Sequence, residues 1–201
     1  MNNDINAIIE ISLNNQKNAF SIIKELNIEN AFKSIGARVN LVGSLKMGLL
    51  MKNKDIDFHV YTSSLDIEKS FLAVSKIAKN KKIEKVTYTN LIDTDEHCIE
   101  WHLFYKDDCN SDNIEIWQID IIHILEGSYY DGYFEKAADD VINMLTEEKR
   151  NTILKLKYET PDNIKIMGIE YYKAVLKDNI KTYEEFIKWR YKQSFNGIIE
   201  F

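Results

Sequence analysis

The chain changes its hydrophobic pattern once, after Gly127, and that change limits the folds it can adopt. Before Gly127, the segments 85–92, 98–105 and 114–125 are rich in β-branched and aromatic residues, which is typical of strands. After Gly127 apolar residues recur at helical spacing, and we expect helices at about 132–145, 147–158, 163–176 and 183–192. The pattern predicts an α+β protein, with a mixed sheet flanked by helices and followed by a helical C-terminal region.

The N-terminal part adds further elements to this outline. We expect helices at 4–26, 47–51 and 66–80, strands at 38–42 and 55–61, and a polar hairpin turn at 107–113. Ser63 or Ser64 is available to cap the helix at 66–80. One face of that helix carries Ile67, Phe71, Val74 and Ile77. The change of pattern predicts two domains, at 1–127 and 128–201.

Composition excludes some classes of protein. With 26 basic and 32 acidic residues, the net charge of −6 argues against broad, sequence-independent binding to nucleic acid. The charge is compatible with a nucleoside triphosphate, because bound metal ions supply positive charge. No apolar run approaches the roughly 20 residues that a membrane helix needs, and no signal-peptide pattern is present. The two cysteines suit a reducing compartment, so we expect a cytoplasmic protein with no membrane association.

Asp55 and Asp57 are the most informative residues of the chain. Side chains alternate along a strand, so both carboxylates point the same way while Ile56 points into the core. Adjacent carboxylates repel each other unless a cation lies between them, and oxygen ligands suit Mg²⁺. Upstream, Gly43-Ser44 lies where a strand gives way to a short helix, a place where backbone N–H groups can receive phosphate oxygens. The combination predicts phosphoryl or nucleotidyl transfer.

These residues carry a resemblance to a known family. Gly43-Ser44, a spacer and then Asp55-Ile56-Asp57 resemble the signature of the DNA polymerase β-type nucleotidyltransferase superfamily. The superfamily also has a third carboxylate on a later strand, and Asp120 is the candidate here, with Glu100 as its competitor. The resemblance covers roughly residues 32–125. It is to the compact members, such as antibiotic-modifying nucleotidyltransferases and the minimal nucleotidyltransferases of toxin–antitoxin pairs, because no basic DNA-binding module is present.

The resemblance implies a Mg²⁺-dependent enzyme that moves a nucleoside monophosphate from an NTP to an acceptor hydroxyl and releases pyrophosphate. It assigns the triphosphate-bound Mg²⁺ to Asp55 and Asp57, and a second ion, shared with them, to Asp120, which is also a candidate general base. Gly43 and Ser44 would hold the phosphates.

Two lysines complete the expected nucleotide site. Many small bacterial members have an arginine shortly after Gly-Ser, where this chain has Leu45-Lys46, so Lys46 is the candidate phosphate contact there. Lys173 is the candidate to reach the nucleotide from the C-terminal helices. The acceptor is expected to be a small molecule such as an antibiotic, with a protein side chain or an RNA end as alternatives. A different class of function is a non-catalytic module that binds a nucleotide or a partner protein.

Several other polar and aromatic residues have competing interpretations. His59 shares the strand face of Asp57 and is either a half-buried structural histidine or a substrate contact. The spacing of His97, Cys98, His102 and Cys109 is not that of zinc-ligand pairs, so no zinc site is predicted. Tyr129 and Tyr130 either stack on a base or anchor the turn between the domains.

Overall fold

The computed structural model of the protein describes residues 2–108 and 114–193. The helices are α1 Asn2–Leu26, α2 Ile28–Lys33, α3 Gly43–Lys46, α4 Ile67–Ala78, α5 Tyr133–Met144, α6 Glu147–Glu159, α7 Gly168–Leu176 and α8 Tyr183–Tyr191. The strands are β1 Arg38–Val42, β2 Asp55–Thr62, β3 Ile83–Leu91, β4 Cys98–Asp107 and β5 Glu115–Leu125. Cys109 and the rest of the hairpin turn up to residue 113 lie outside the described residues. Within the described ranges, no helix combines the length and apolar content that crossing a bilayer requires.

One mixed sheet in the order β1–β2–β5–β4–β3 organises the first half of the chain. β2 and β5 are parallel, whereas the other neighbouring strands are antiparallel. Asp57 pairs in register with Asp120, and Asp55 pairs with Gln118. Because paired residues on neighbouring strands point to the same face, the three aspartates share one side of the sheet. The predicted α+β class, with a mixed sheet and flanking helices, is confirmed.

Two buried clusters lie on opposite sides of this arrangement. The first lies against the face of the sheet opposite the aspartates. It contains residues of α1, α2 and α4 together with Ile56, Phe58 and Trp101. Trp101 Nε1 donates to Ser70 Oγ at 2.9 Å, which satisfies its buried indole N–H. The second cluster joins α5 to α8 with the start of α1. Since α1 packs into both clusters, it ties the sheet to the helical region, and the division of the chain at residue 127 stays a prediction.

Four local expectations are corrected by the structure. The short helix expected at 47–51 lies instead at Gly43–Lys46, because the chain turns at Gly48, whose φ is +67°. The helix expected from 163 begins at Gly168. Asp66 caps α4 by accepting from the Lys69 amide, in place of Ser63 or Ser64. Phe71 is 46% exposed and packs on Tyr88 and Trp101 at the sheet margin, while Ser70 takes the buried position.

Candidate nucleotide site

A cleft of about 420 Å³ lies between the aspartate face of the sheet and helices α5 to α7. Its floor includes Gly43, Ser44, Asp55 and Asp57, so these four predicted residues are brought together. Aliphatic and aromatic side chains of the helical region cover much of the opposite wall. They include Phe134, Ala137, Val141, Ile164, Ile166 and Met167. The cleft therefore has an acidic floor and a largely apolar wall.

Gly43 and Asp57 are in close contact. Gly43 begins α3 with φ +69°, and a Cβ added there would lie 2.7 Å from Cγ of Asp57 and nearer still to its Oδ2. Only glycine adopts this conformation readily and leaves room for the carboxylate. The glycine of the Gly-Ser pair thus lets the turn at Gly43-Ser44 approach the aspartates.

The aspartates are electrostatically strained. Burial raises the pKa of Asp57 to about 8, and the carboxylates of Asp55 and Asp120 add to the effect. Burial also raises the pKa of Asp55, against the nearby Lys157 ammonium, which lowers it. In addition, Oδ1 of Asp55 is buried and has no hydrogen-bond partner. A divalent cation would neutralise these charges and occupy that free oxygen, so the Asp55–Asp57 pair fits Mg²⁺.

Asp120 is placed next to this pair but is engaged elsewhere. His102 Nδ1 donates to its Oδ1 at 2.6 Å, and Gln118 Nε2 donates to Oδ1 at 2.8 Å and to Oδ2 at 3.1 Å. Among residues 2–108 and 114–193, no three His, Cys, Asp or Glu side chains already converge as a metal-ligand group. Sharing an ion with Asp57 would therefore compete with the contacts that Asp120 makes to His102 and Gln118.

Glu100, the competing third carboxylate, lies farther from the pair. It is opposite Ile122 in the β4–β5 register, and its Oε2 is 4.0 Å from Nε2 of His102. It thus approaches the site only through His102, whereas Asp120 is the register neighbour of Asp57. This geometry favours Asp120 for the third position.

The lysine that faces the aspartates is Lys157, which the sequence analysis did not single out. Lys157 Nζ donates to the carbonyl of Leu49 at 2.9 Å and to Tyr172 Oη at 3.2 Å. Burial lowers the pKa of Lys157 to about 8, although the charges of Asp55 and Asp57 oppose this shift. Lys157 lines the cleft, whereas the described lining contains neither Lys46 nor Lys173.

A signal for Lys157 is present in the sequence. It follows the buried residues Ile153 and Leu154 by four and three positions, so it lies on the inward face of α6. A lysine at such a position requires a buried acidic or polar partner. Lys173 lies next to the buried Tyr172 in α7, on a different side of the helix from the cleft-lining tyrosine.

His59 lies at the end of the cleft beyond Asp57. It is buried, Phe134 packs edge-on against it at 5.0 Å, and burial lowers its pKa to about 4. Its Nδ1 is 3.5 Å from Tyr61 Oη, which donates to Glu135 at 2.6 Å. His59 is therefore a packed histidine whose imidazole is uncharged near neutral pH, and it still contributes to the cleft lining.

Of the other residues weighed in the sequence, those that the structure describes are not part of the cleft lining. Cys98 is buried in a small cluster with Tyr61 and Ile124, and Cys109 lies outside the described residues. Tyr129 stacks on Tyr133 with ring centroids 6.0 Å apart, in a cluster of aromatic rings at the start of α5. That cluster reaches the cleft only through Phe134.

Comparison with known proteins relates this chain to others by its fold alone. No protein-family model and no curated protein sequence matches the chain. Solved structures of nucleotidyltransferases do match in fold. One is the Cid1 poly(U) polymerase with MgGTP bound, at 16% identity and a TM-score of 0.58, which covers 87% of this chain and 55% of that chain.

Two further structures show the same likeness. A cytoplasmic RNA terminal U-transferase matches at 15% identity and a TM-score of 0.51, over 85% of this chain and 51% of that one. The non-canonical poly(A) polymerase complex GLD-2–GLD-3 matches at 10% identity and a TM-score of 0.52, over 84% and 57%. The chain spans a little over half the length of these structures. At such identities the likeness establishes the fold alone, and the expected nucleotidyltransferase-type fold, a mixed sheet flanked by helices, is confirmed.

Proposed function

We propose that this chain is a Mg²⁺-dependent nucleotidyltransferase that transfers a nucleoside monophosphate from an NTP to an acceptor hydroxyl. The observation that carries the proposal is that Gly43, Asp55 and Asp57 lie together on the cleft floor, with Asp120 in register beside Asp57. The likeness in fold to nucleotidyltransferases supports it.

The donor set fits Mg²⁺ at Asp55 and Asp57, and we propose a second ion shared with Asp120. Both cleft aspartates offer only oxygen, one of those oxygens is buried without a partner, and the pKa of Asp57 is raised to about 8 by burial and neighbouring charge. When bound, Mg²⁺ would neutralise phosphate charge and lower the pKa of the acceptor hydroxyl.

The protein's own groups have separate tasks in the proposed transfer. The backbone at Gly43 and Ser44 binds phosphate oxygens at the start of α3, and the Lys157 ammonium offsets their charge. Asp120 accepts the proton of the acceptor hydroxyl. The acceptor oxygen forms a bond to the α-phosphorus as the bond to the β-phosphate bridging oxygen breaks, and pyrophosphate leaves.

For the acceptor we propose a small hydroxyl compound such as an antibiotic. The acidic floor of the cleft and the net charge of −6 favour a neutral or cationic molecule. An RNA 3′ end is the second candidate. It is favoured by the likeness to structures described as a poly(U) polymerase and an RNA terminal U-transferase.

The deciding experiment measures pyrophosphate release from ATP, GTP, CTP and UTP with Mg²⁺, in the presence of aminoglycosides, lincosamides or a short RNA. Release that needs both Mg²⁺ and one acceptor class supports the proposal and identifies the acceptor. Asp57→Asn is the matched variant, because it removes one charge while keeping the shape of the side chain. NTP-dependent stabilisation that persists unchanged in Asp57→Asn, with no pyrophosphate released by either protein, would indicate a non-catalytic nucleotide-binding module.

A further inference from the structure

The segment that joins α3 to β2 is held by side chains from two distant helices. Five successive backbone carbonyls, from residue 47 to residue 51, each accept a hydrogen bond from a side chain. Arg150 Nη1 donates to the carbonyls of Met47 at 2.9 Å and Gly48 at 2.8 Å. We call residues 47–51 the strap, because this segment connects the proposed phosphate turn, Gly43-Ser44, to the aspartates of β2.

The remaining carbonyls of the strap are bound from both sides. On the α6 side, Lys157 donates to the Leu49 carbonyl at 2.9 Å. On the α1 side, Ser12 Oγ donates to the Leu50 carbonyl at 2.6 Å and Asn15 Nδ2 donates to the Met51 carbonyl at 2.7 Å. A buried loop must have its backbone polar groups satisfied, and here side chains of α1 and α6 do so in place of a strand or helix partner.

The strap is hydrogen-bonded to Ser44 at one end and continues at the other, through residues 52–54, into the start of β2. The Leu49 amide donates to the Ser44 carbonyl at 2.8 Å, which ties the strap to the phosphate turn. At the other end, the Gln118 amide donates to the Lys54 carbonyl at 2.8 Å, one residue before Asp55. A shift of the strap would therefore change the position of Ser44 relative to Asp55.

Arg150 binds the strap where its backbone turns at Gly48. Gly48 has φ +67°, and a Cβ at this position would lie 2.6 Å from Nη1 of Arg150. The left-handed backbone favours glycine here, and a Cβ would displace the end of the Arg150 side chain from its present position. One nitrogen of Arg150 makes both hydrogen bonds, so a lysine ammonium can supply the same donors.

We propose that α1 and α6 form a two-sided clamp that sets the distance between the phosphate turn and the aspartates, with Arg150 as its main positioning residue. The proposal rests on the proposed nucleotidyl transfer. Ser12 and Asn15 hold the strap from the α1 side. Because the clamp acts on the relative placement of bound phosphates and carboxylates, it affects the rate of transfer more than the affinity for NTP.

The test compares Arg150→Met, which removes both donors, with Arg150→Lys, which keeps them. Lys155→Met is the control, since Lys155 is an exposed residue of the same helix and carries the same charge. The readouts are kcat and KM for the NTP and acceptor that support pyrophosphate release, and amide hydrogen exchange over residues 43–55. All are measured well below the melting temperature of each variant.

For Arg150→Met we expect kcat to fall about 10- to 100-fold, with KM for NTP changed by less than about threefold. Exchange over residues 43–55 should accelerate, while exchange in β3 and β4 stays as in the wild type. Arg150→Lys should return kcat to within about threefold of the wild type, and Lys155→Met should match it. If Arg150→Met does not fold, Ser12→Ala serves instead, with an expected fall in kcat of about three- to tenfold.

A folded Arg150→Met protein with wild-type kcat and wild-type exchange would overturn the proposal. So would a loss of activity that Arg150→Lys does not recover although exchange is restored. A wild-type chain that releases no pyrophosphate would overturn the proposed function, and with it the catalytic part of the clamp. In that event, unchanged exchange in Arg150→Met would also show that α6 does not restrain the strap. Faster exchange would show that α6 does restrain it, but without a catalytic role.

Discussion

The carboxylate of Asp57 lies in the space that a side chain at position 43 would fill. A Cβ on Gly43 would be 2.7 Å from Cγ of Asp57, and the backbone there has φ +69°. The two halves of the sequence motif, 14 residues apart in the chain, are therefore in direct contact in the fold. The glycine leaves the room that the Asp57 carboxylate occupies.

Gly43→Ala should abolish transfer, because the new methyl group forces Asp57 out of its place. We expect pyrophosphate release to fall by at least about 100-fold, as a displacement of about 1 Å at a reacting centre does. Gly36→Ala is the matched control, since Gly36 has φ +84° but nothing within 4 Å of an added Cβ. It should lower the free energy of unfolding by about 1 kcal/mol from backbone strain alone and leave release unchanged. Equal losses of activity in the two variants would contradict the steric role of Gly43.

The raised pKa of Asp57 predicts that stability falls with rising pH when no divalent cation is present. The pKa of Asp57 is about 8 in the fold against a usual value of 3.8. The stability that protonation of Asp57 contributes is therefore fully present below pH 3.8 and is lost as pH rises through 8. His59 and His123 have pKa values lowered to about 4 by burial, and they act with the opposite sign below their usual 6.5. Above pH 8 Lys157 also acts in the opposite direction. The window from pH 6.5 to 8 therefore isolates the aspartates.

Within that window we expect the free energy of unfolding in EDTA to fall by up to about 1.4 kcal/mol per pH unit for the one proton of Asp57. Chemical denaturation at pH 6.5, 7.2 and 8.0 measures it. Asp57→Asn should flatten the slope and be more stable than the wild type at pH 8. A wild-type slope that Asp57→Asn leaves intact would show that another group is responsible.

Lys157 rather than Lys173 should govern the affinity for NTP. In Lys157→Met the ammonium that faces Asp55 and Asp57 is lost, and we expect KM for NTP to rise about tenfold, or ~1.4 kcal/mol. Lys173→Met removes the same charge from a residue of α7 that does not line the cleft, and it should leave KM unchanged. Steady-state kinetics of the two proteins provide the comparison. Because Lys157 also binds the strap, Arg150→Met shows how much of the effect comes from the loss of a strap contact rather than from the loss of the charge that faces the aspartates. If Lys173→Met carries the larger rise, the expectation drawn from the sequence was right and the assignment to Lys157 is wrong.

The strands could be predicted from the sequence because their signals are local. Alternation around Ile56 and Phe58 gives the facing of Asp55 and Asp57, and β1 begins and ends at the residues that the sequence indicates. The α3 helix and the strap could not be placed in this way. Residues 47–51 are mostly apolar and read as a short helix, but their backbone carbonyls are satisfied by Ser12, Asn15, Arg150 and Lys157, which are 36 to 108 positions away.

The pairing of β5 with β2 could not be predicted from the local sequence pattern either. The apolar neighbours of Asp120 place it on a buried strand, but only the parallel register brings it beside Asp57. Its contact with His102 was likewise invisible, because it depends on the β4–β5 register, whereas Gln118 lies two residues from Asp120 on the same strand. Long-range pairing is fixed by the whole sheet, whereas the pattern of one strand indicates only which residues face inward.

Asp120 and Glu100 should separate cleanly when each is replaced by its amide. Asp120→Asn keeps the hydrogen-bonding shape beside His102 but cannot accept the acceptor's proton, so we expect kcat to fall by about 10²- to 10⁴-fold with little change in the affinity for NTP. Glu100→Gln alters a carboxylate that reaches the site only through His102, 4.0 Å away, and should change kcat by less than about threefold. Single-turnover pyrophosphate release and NTP binding measure the two quantities separately. Should Glu100→Gln lose activity while Asp120→Asn keeps it, Glu100 is the third carboxylate, and the register neighbour of Asp57 has a structural role through Gln118 and His102.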